Sequence, residues 1–351
     1  MNNQQQLFYV GCYTQPEGHV PNGCGEGIYR GILNQQNGEI SLTLAYKGLT
    51  NPSYLSYNAK DHQIYAVSEV ENQHSKAYLL SINNEVCELQ SEISTGGEAS
   101  CHVHSHANKI YVASYMGGSI TSFNINNNRL ITENHIEYSG TGPNNQRQEA
   151  PHAHQCLTSP DGKWLYVCDL GSDKIWIHNL KEPLNETLFS CDTPPGSGPR
   201  HLCFHPNLQI AYIICELSGH ILICNYDQKS GELAMIQELS SLPTNYEPEP
   251  ASAAICIHPS GKALYVSNRT HDSCAAFAID DSGKLSALDW VDCGGKTPRD
   301  MNIDPSGNWL LVANQDSNTL CVLKINSETG AIIGNSLKSY ACKTPTCISF
   351  G

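Results

Sequence analysis

The sequence is organised by a repeat of about fifty residues. Seven short apolar strands recur along the chain, and their central residues are Tyr9, Tyr65, Tyr111, Tyr166, Tyr212, Tyr265 and Leu311. These residues are separated by 56, 46, 55, 46, 53 and 46 positions. A regular period in this range, with several short strands in every unit, is typical of a β-propeller. The sequence therefore predicts an all-β fold, a seven-bladed β-propeller that forms a single domain over residues 1–351.

Each unit has the same internal order. An apolar strand leads into a turn with Pro and Gly, such as residues 159–162, and the tyrosine strand, a third apolar strand, a polar glycine turn and an outer strand follow. Proline presets the backbone of such a turn and glycine supplies its positive φ. We expect four-stranded antiparallel blades, with strands A to D running outward from the axis.

The two ends of the chain fit one blade. The sequence begins with a B-type strand, residues 7–13, and ends with residues 345–350, which have the pattern of an A strand. We expect the carboxy-terminal A strand to join the amino-terminal B, C and D strands and so close the ring. Closure of this kind removes an exposed sheet edge.

Composition limits the partners and the compartment. The net charge is −14 with only 20 Lys and Arg residues and no basic run, so neither a nucleic acid nor a membrane surface is an expected partner. The 16 cysteines are scattered through apolar strands without a Cys-x-x-Cys pair, as in a reduced protein rather than a disulfide-rich secreted one. The polar amino terminus lacks the features of a signal peptide, and we expect a cytoplasmic protein.

One face of the predicted propeller collects the chemistry. In an antiparallel hairpin the start of strand A lies beside the end of strand B, so Arg200 and Glu216 are expected to face each other. The same arithmetic pairs His154 with Leu170, Ala253 with Arg269, and Arg299 with Gln315. The candidate site residues on this face are Glu69, His152, His154, Asp169, Arg200, His201, Glu216, Asn268, Arg269, Arg299 and Asn314.

Three arginines near one channel mouth indicate an anion site in this acidic chain. A guanidinium binds a carboxylate or phosphate through two parallel hydrogen bonds. The alternative is that each arginine only pairs with a nearby acid at the inner rim. His152 and His154 suit an acid–base or substrate-binding role, whereas a metal site there would need Glu216 or Asp169 as a third ligand.

No metal or other cofactor is expected. His102, His104 and His106 alternate along a strand, but two of them lie at or near the wrong end of the blade for this site. The sequence also lacks a P-loop, a dinucleotide fingerprint and a Gly-x-Ser-x-Gly elbow.

At these residues the sequence resembles the seven-bladed propeller lactonases, typified by the bacterial propeller-type 6-phosphogluconolactonases and related to the fungal carboxymuconate cyclases. The resemblance covers nearly the whole chain. It rests on the combined order and spacing of residues 149–154, 198–206, 215–217, 267–270 and 298–304.

The resemblance implies hydrolysis of 6-phosphogluconolactone, a small anionic lactone, in the pentose phosphate pathway. It places the family's catalytic His, Arg, Glu and Arg on His152 or His154, Arg200, Glu216 and Arg269. As a mechanism we expect Glu216 or His154 to activate a water and Arg200 or Arg269 to stabilise the oxyanion.

The remaining residues of the face are expected to bind substrate, and Arg299 with His201 and Lys296 would hold the phosphate. Two other functions stay open at this point. A cyclase of the carboxymuconate type would use the arginines to bind carboxylates. A non-enzymatic scaffold for a peptide or protein would need an apolar mouth, for which the sequence supplies Tyr13 and Tyr115. The sequence does not fix the oligomeric state.

Overall fold

The computed structural model describes residues 4–71, 75–185 and 188–351, and this part of the chain contains no α-helix. Its 28 strands form seven four-stranded antiparallel sheets. The predicted seven-bladed β-propeller is confirmed. None of the described segments is a helix long and apolar enough to span a membrane.

The strands are numbered in chain order. The first fifteen are β1 (Gln5–Cys12), β2 (Gly27–Asn34), β3 (Ile40–Lys47), β4 (Leu55–Asn58), β5 (Gln63–Val67), β6 (Lys76–Asn83), β7 (Val86–Ser94), β8 (Ser100–His106), β9 (Lys109–Ser114), β10 (Ser119–Asn126), β11 (Arg129–Glu137), β12 (Ala153–Thr158), β13 (Trp164–Asp169), β14 (Lys174–Asn179) and β15 (Leu188–Asp192). The others are β16 (Pro199–Phe204), β17 (Ile210–Cys215), β18 (His220–Tyr226), β19 (Leu233–Ser240), β20 (Ser252–Ile257), β21 (Ala263–Asn268), β22 (Ser273–Ile279), β23 (Leu285–Asp292), β24 (Pro298–Ile303), β25 (Trp309–Asn314), β26 (Thr319–Ile325), β27 (Ile332–Ala341) and β28 (Pro345–Phe350).

The two ends of the chain share one sheet, as predicted. Its strand order is β28-β1-β2-β3, so the carboxy-terminal strand is the A strand of the amino-terminal blade. The rings of Phe8 on β1 and Phe350 on β28 pack with their centroids 5.6 Å apart. Gly31 on β2 leaves room for Phe8, because a Cβ at this position would lie 2.0 Å from the ring.

The chain divides into two compact units. The first comprises Met1–Val10, Arg30–Thr43 and His201–Phe350, and the second comprises Gly11–Tyr29 and Leu44–Arg200, with Gly351. The assignment of residues 1–351 to a single domain stays a prediction.

Burial explains why tyrosine recurs in the repeat. Tyr212 and Tyr265 have fully buried rings, and their hydroxyls donate to the carbonyls of Gly283 and Gly330, at 2.9 and 2.7 Å. A tyrosine supplies a large apolar ring together with one hydroxyl that needs a partner, and here the partner is a glycine turn farther along the chain. The tyrosines thus tie each of these strands to the following blade.

The histidines of two A–B turns, His205 and His258, serve the fold. His205 and His258 approach the carbonyls of Gly261 and Gly307 through Nε2, each at 2.9 Å. Both glycines have positive φ, 75° and 77°, as the turn requires. Since a carbonyl only accepts, Nε2 carries the hydrogen in both rings.

The register of the A strands differs from the hairpin arithmetic. The amide of Leu170 donates to the carbonyl of His152, not of His154, at 3.0 Å. In the same way Arg269 bonds to Ala251 and Gln315 to Thr297, at 3.1 and 3.0 Å. The predicted partners in these three blades were therefore wrong by two residues.

Two local features cause this difference. The turn after β12 is centred between residues 161 and 162, since Thr158 pairs with Leu165, and this moves every partner by one residue. A β-bulge between Ala153 and Gln155 then adds one more residue. Bulges at the corresponding places also shift the register of β20 and β24. A bulge changes the direction of the extra side chain. This side chain is His154 in β12 and Arg299 in β24.

Candidate active site

The predicted site residues are divided between the two units. The second unit holds Glu69, His152, His154, Asp169 and Arg200, and the first unit holds His201, Glu216, Asn268, Arg269, Arg299 and Asn314.

His152 is buried, and both of its ring nitrogens face acceptors. Nδ1 lies 3.0 Å from the carbonyl oxygen of Tyr115, and Nε2 lies 3.1 Å from Oε1 of Glu149. Both ring nitrogens of His152 are therefore engaged with protein oxygens.

Tyr115 connects the two predicted histidines. Its ring stacks on His152 with 4.4 Å between centroids and 9° between planes, and it meets His154 edge-on at 5.6 Å. Nη2 of Arg147 donates to the Tyr115 hydroxyl at 3.2 Å. We call Tyr115, Arg147, Glu149, His152 and His154 the histidine group. The sequence placed Arg147 and Glu149 in a loop and gave no sign that they reach these rings.

His154 is the buried imidazole at the bulge of β12. Its backbone carbonyl accepts a hydrogen bond from Sγ of Cys101 at 3.3 Å, which fixes the main chain at this point. The bulge re-aims its side chain, whereas both nitrogens of His152 already lie against protein oxygens. His154 is therefore the better placed of the two for acid–base chemistry.

The geometry favours a structural role for Asp169. Its Oδ1 accepts from the amides of His152, Gly171 and Ser172, at 2.7, 3.1 and 3.2 Å. Its Oδ2 accepts from Nε1 of Trp176 at 2.9 Å and from the hydroxyl of Ser172. The carboxylate thus holds the backbone at the start of β12 and positions His152.

Arg200 on β16 is 2% exposed, and among the described residues it is the only lysine or arginine that is buried. The pKa of His102 lies well below its usual value. Burial is the largest cause, and the charges of His104 and then Arg200 lower it further. A buried guanidinium acts at low dielectric, where its interaction with a developing negative charge is strong.

Glu69 is held by a residue that the sequence did not single out. Its Oε1 lies 3.2 Å from Nε2 of His19, whose Nδ1 lies 2.8 Å from Oε1 of Glu71. The hydroxyl of Tyr13 is also 3.0 Å from Nε2 of His19. His19 lies in the polar loop of residues 14–25, where composition alone gives no reason to choose one residue over another.

Glu216 follows β17 and forms an ion pair with Arg269. Oε2 of Glu216 lies 2.7 Å from Nη2 of Arg269, and the two side chains are 4% and 16% exposed. Nε of Arg269 also donates to the carbonyl of Ala251 at 3.1 Å. The hairpin arithmetic did not assign this partner to Glu216. We call Glu216 and Arg269 the carboxylate–arginine pair.

Asn268 and Asn314 are buried and bonded within the first unit. Oδ1 of Asn268 accepts from the hydroxyls of Ser241 and Ser252, at 2.8 and 2.7 Å, and its Nδ2 donates to the carbonyl of Ser241. Nδ2 of Asn314 donates to the carbonyl of Cys293 at 3.0 Å. These contacts favour structural roles for both residues rather than the predicted substrate contacts.

The other candidates of the first unit differ in exposure. His201 on β16 is buried, and Arg299 is half-buried at the bulge of β24. The buried Gln315 donates from Nε2 to Asp316, but its Oε1 accepts no hydrogen bond from the residues that the structure describes. A buried acceptor of this kind suits a ligand hydroxyl. Lys296, in contrast, is exposed and paired with Oδ2 of Asp272 at 2.6 Å.

Within residues 4–71, 75–185 and 188–351, no group of three His, Cys, Asp or Glu side chains could hold a metal ion. Of the alternating histidines, His102 contacts Sγ of Cys156 at 3.7 Å and His104 bonds to the hydroxyl of Thr158 at 2.9 Å. Burial lowers the pKa of His104 to about 4, so this ring is neutral. Both histidines serve the interior of the second unit.

Comparison with known proteins defines the class of the chain. The sequence matches the family of lactonases with a seven-bladed β-propeller over residues 7–350, and the chain belongs to this family. It is 30% identical to the 6-phosphogluconolactonase of Bacillus subtilis over 351 residues, which cover 98% of each chain.

Solved structures show the same similarity. A Bacteroides fragilis protein described provisionally as a 6-phosphogluconolactonase superimposes with a TM-score of 0.90 and 30% identity, over 100% of this chain and 99% of that one. The periplasmic gluconolactonase of Pseudomonas aeruginosa superimposes with a TM-score of 0.87 and 25% identity, over 99% of both chains.

Proposed function

We propose that this protein hydrolyses 6-phosphogluconolactone to 6-phosphogluconate, the lactone-opening step of the pentose phosphate pathway. The observation that carries the proposal is the burial of Arg200 and His154 in a chain of the lactonase family. The full-length similarity to the Bacillus subtilis enzyme supports the choice of substrate.

The chemistry needs a base, an oxyanion stabiliser and an acid. A lactone is a cyclic ester, so a water molecule that loses a proton can add to its carbonyl carbon without a covalent enzyme intermediate. The tetrahedral intermediate then expels the ring oxygen, which takes up a proton as the ring opens. A single imidazole can accept the first proton and deliver the second.

We assign the proton transfers to His154. Both nitrogens of its neighbour His152 are already engaged, one with the carbonyl of Tyr115 and the other with Glu149. Glu216 is the alternative base. The carboxylate of Glu216 already binds Arg269 in an ion pair, and this contact lowers its tendency to accept a proton from water.

We assign oxyanion stabilisation to Arg200. A fixed cation away from bulk water needs no reorganisation when charge develops on the carbonyl oxygen. Within the first unit, the carboxylate–arginine pair, Arg299, His201 and Gln315 are proposed to bind sugar hydroxyls. Because Glu216 balances Arg269, that pair adds hydrogen-bonding groups without adding net charge.

The experiment assays purified protein with 6-phosphogluconolactone, gluconolactone and carboxymuconate. The rate of spontaneous hydrolysis in buffer is subtracted. Catalysed opening of 6-phosphogluconolactone, with a higher kcat/KM than for gluconolactone, is the expected result. Conversion of carboxymuconate with neither lactone opened would show a cyclase instead. No turnover of any of the three, with binding of a peptide, would point to a scaffold.

A second candidate substrate is gluconolactone without the phosphate. The Pseudomonas aeruginosa relative, which covers the whole chain, is a periplasmic gluconolactonase. A kcat/KM that is higher for gluconolactone than for its 6-phosphate would favour this candidate.

We further propose that the protein works in the cytoplasm. All 16 cysteines are reduced thiols, and most of them are buried among apolar strands. A cytoplasmic location predicts that all sixteen thiols react with a thiol reagent after denaturation without reductant. A lower count, or recovery from the periplasmic fraction of cells, would contradict it.

A further inference from the structure

A glycine-rich loop, residues 193–198, ends directly before β16, the strand that carries Arg200. Gly196 and Gly198 have positive φ, 81° and 61°, which glycine adopts without strain. The amide of Ser197 donates to the carbonyl of Pro194 at 3.0 Å and closes a turn. Successive backbone amides in such a loop form a concave surface that binds anions. In this protein the anion is one of its own side chains.

The carboxylate of Asp173 fills this loop. Its Oδ2 accepts from the amide of Gly196 at 2.6 Å, and its Oδ1 accepts from the amide of Gly198 at 2.8 Å. The hydroxyl of Ser197 also donates to Oδ1 at 3.4 Å, and the carbonyl of Asp173 accepts from the amide of Thr193 at 2.9 Å. Asp173 is 6% exposed. Hydrogen bonds to an ionised acceptor are about twice as strong as neutral ones, so the loop is held firmly.

The same carboxylate holds the chain ahead of β12. Gln148 is fully buried, and its Nε2 donates to Oδ1 of Asp173 at 2.7 Å and to the carbonyl of Leu170 at 2.9 Å. One carboxylate therefore bonds to the segments that lead into both β12 and β16. These are the strands of His154 and Arg200.

The turn between β13 and β14, which carries Asp173, is itself fixed. Asp169 accepts from the amides of Gly171 and Ser172, as described above. A Cβ on Gly171 would lie 1.9 Å from the carbonyl oxygen of Ala150, so the turn packs closely on the chain before β12. Asp173 has a φ of 54°, a region that aspartate and asparagine enter more readily than most residues. The carboxylate thus starts from a rigid backbone.

Few bond rotations separate the bonded loop from Arg200. Only Pro199 lies between Gly198 and Arg200, and the proline ring fixes one of its backbone angles. Arg200 is 2% exposed, and its packed surroundings leave it little room to correct a shift of the main chain. A displacement of about 1 Å in a reacting group can cost about 100-fold in rate. All of these residues belong to the second unit.

We propose that Asp173 is a positioning residue for lactone opening, whose carboxylate sets the place of Arg200 through the amides of Gly196 and Gly198. This inference rests on the proposed function, in which Arg200 stabilises the oxyanion, and deepens it. Asp173 acts through the main chain and not on the substrate. Its loss should therefore weaken an interaction made in the transition state, which lowers kcat and kcat/KM alike.

The test measures kcat and KM on whichever of 6-phosphogluconolactone and gluconolactone the wild type opens faster. Asp173→Ala should lower kcat by up to about 100-fold with KM nearly unchanged. Asp173→Asn keeps one acceptor oxygen and suits the positive φ, so it should lose only about 10-fold. Asp192→Asn is the matched control, because Asp192 on β15 is 78% exposed and bonds to Nζ of Lys174. It should leave both constants unchanged.

A double-mutant cycle separates positioning from a general loss of structure. Asp173→Asn is placed in the wild type and in Arg200→Ala, and urea unfolding curves confirm that all four proteins are folded. If Asp173 acts through Arg200, its effect on kcat in the Arg200→Ala background should fall below about 3-fold, because effects of coupled residues do not add. A purely structural role would reduce kcat by the same factor in both backgrounds.

The outcomes distinguish this inference from the proposed function. A wild type that opens neither lactone overturns both. Folded Asp173 variants with wild-type kcat, in an active enzyme, overturn the role of Asp173 alone. An equal loss of kcat in the two backgrounds has the same meaning, because it shows that Asp173 does not act through Arg200.

Discussion

The histidine group and the carboxylate–arginine pair differ in the elements that carry them and in their exposure to solvent. In the first, a loop brings Arg147 and Glu149 onto a stack of rings, and Glu149 is 51% exposed. In the second, Glu216 directly follows β17 and Arg269 directly follows β21, and both side chains are largely enclosed.

The difference shows where each kind of residue can change. Contacts of exposed loop residues contribute little to stability, so they can alter with the substrate at small cost to the fold. An enclosed ion pair is different, because removal of one partner leaves a charge that water does not reach. The contacts of the loop can therefore change without loss of the fold, whereas the pair belongs to the frame of the first unit.

The largest expected effect is on stability in the carboxylate–arginine pair. Arg269→Ala removes the cation that lies 2.7 Å from the buried carboxylate of Glu216, and we expect the free energy of unfolding to fall by about 3 kcal/mol. Urea denaturation of the variant beside wild type and Arg129→Ala measures it. A loss below about 1 kcal/mol would mean that the pair behaves like an exposed surface contact.

The next effect is on catalysis in the histidine group. His154→Gln should reduce kcat for lactone opening by about 100-fold or more, as for the loss of a general base. His152→Gln should cost much less, since His152 positions Tyr115. Steady-state assays of both variants give the comparison, and equal losses, or the larger loss at His152, would reverse the assignment.

A pH effect is expected from the interior of the second unit. The pKa of His104 falls to about 4 because burial disfavours the charged ring, and His106 adds repulsion. In the unfolded chain a histidine titrates near about 6.5, so that state binds the proton more readily. Stability is therefore full above about pH 6.5 and falls as the pH drops toward 4.

Urea midpoints at several pH values across this window measure the effect. His104→Asn should flatten the pH dependence, although the burial of His102 contributes in the same direction. An unchanged pH profile in the variant would show that His104 does not cause it.

The smallest effect is expected at the loop. Glu149→Gln should lower the free energy of unfolding by less than about 1 kcal/mol, because the Glu149 side chain is 51% exposed and solvent screens its charge. Thermal or urea unfolding beside Arg269→Ala tests the contrast directly. Similar losses in the two variants would remove the distinction between the two regions.

The fold was predictable because one physical requirement recurs. Six of the seven B strands carry a buried tyrosine at fixed spacing, and Tyr212 with Gly283 shows how such a ring is linked to a glycine turn. Such repeats are visible in sequence. The bulge at His154 is not visible, because an extra residue in a strand has no compositional mark, and this changed the pairing at the rim.

The sequence selected candidate residues but did not predict the contacts that hold them. His154, Arg200 and Glu216 were chosen from their places at strand ends. The partner of Glu216 depends on how far the Arg269 side chain reaches from another blade, which strand arithmetic does not contain. The contact of Arg147 with Tyr115 depends on a loop conformation in which Gln148 is buried, and in the sequence Gln148 looks like any other polar loop residue.

The most direct test of the account is the opening of 6-phosphogluconolactone by wild type and by Arg200→Ala, with unfolding curves to confirm that both are folded. We expect catalysis well above the spontaneous rate in the wild type. In the variant kcat should fall by about 100-fold or more, as expected for the loss of an oxyanion stabiliser. A folded Arg200→Ala protein with wild-type turnover would contradict the central claim that the buried arginine stabilises the reacting carbonyl.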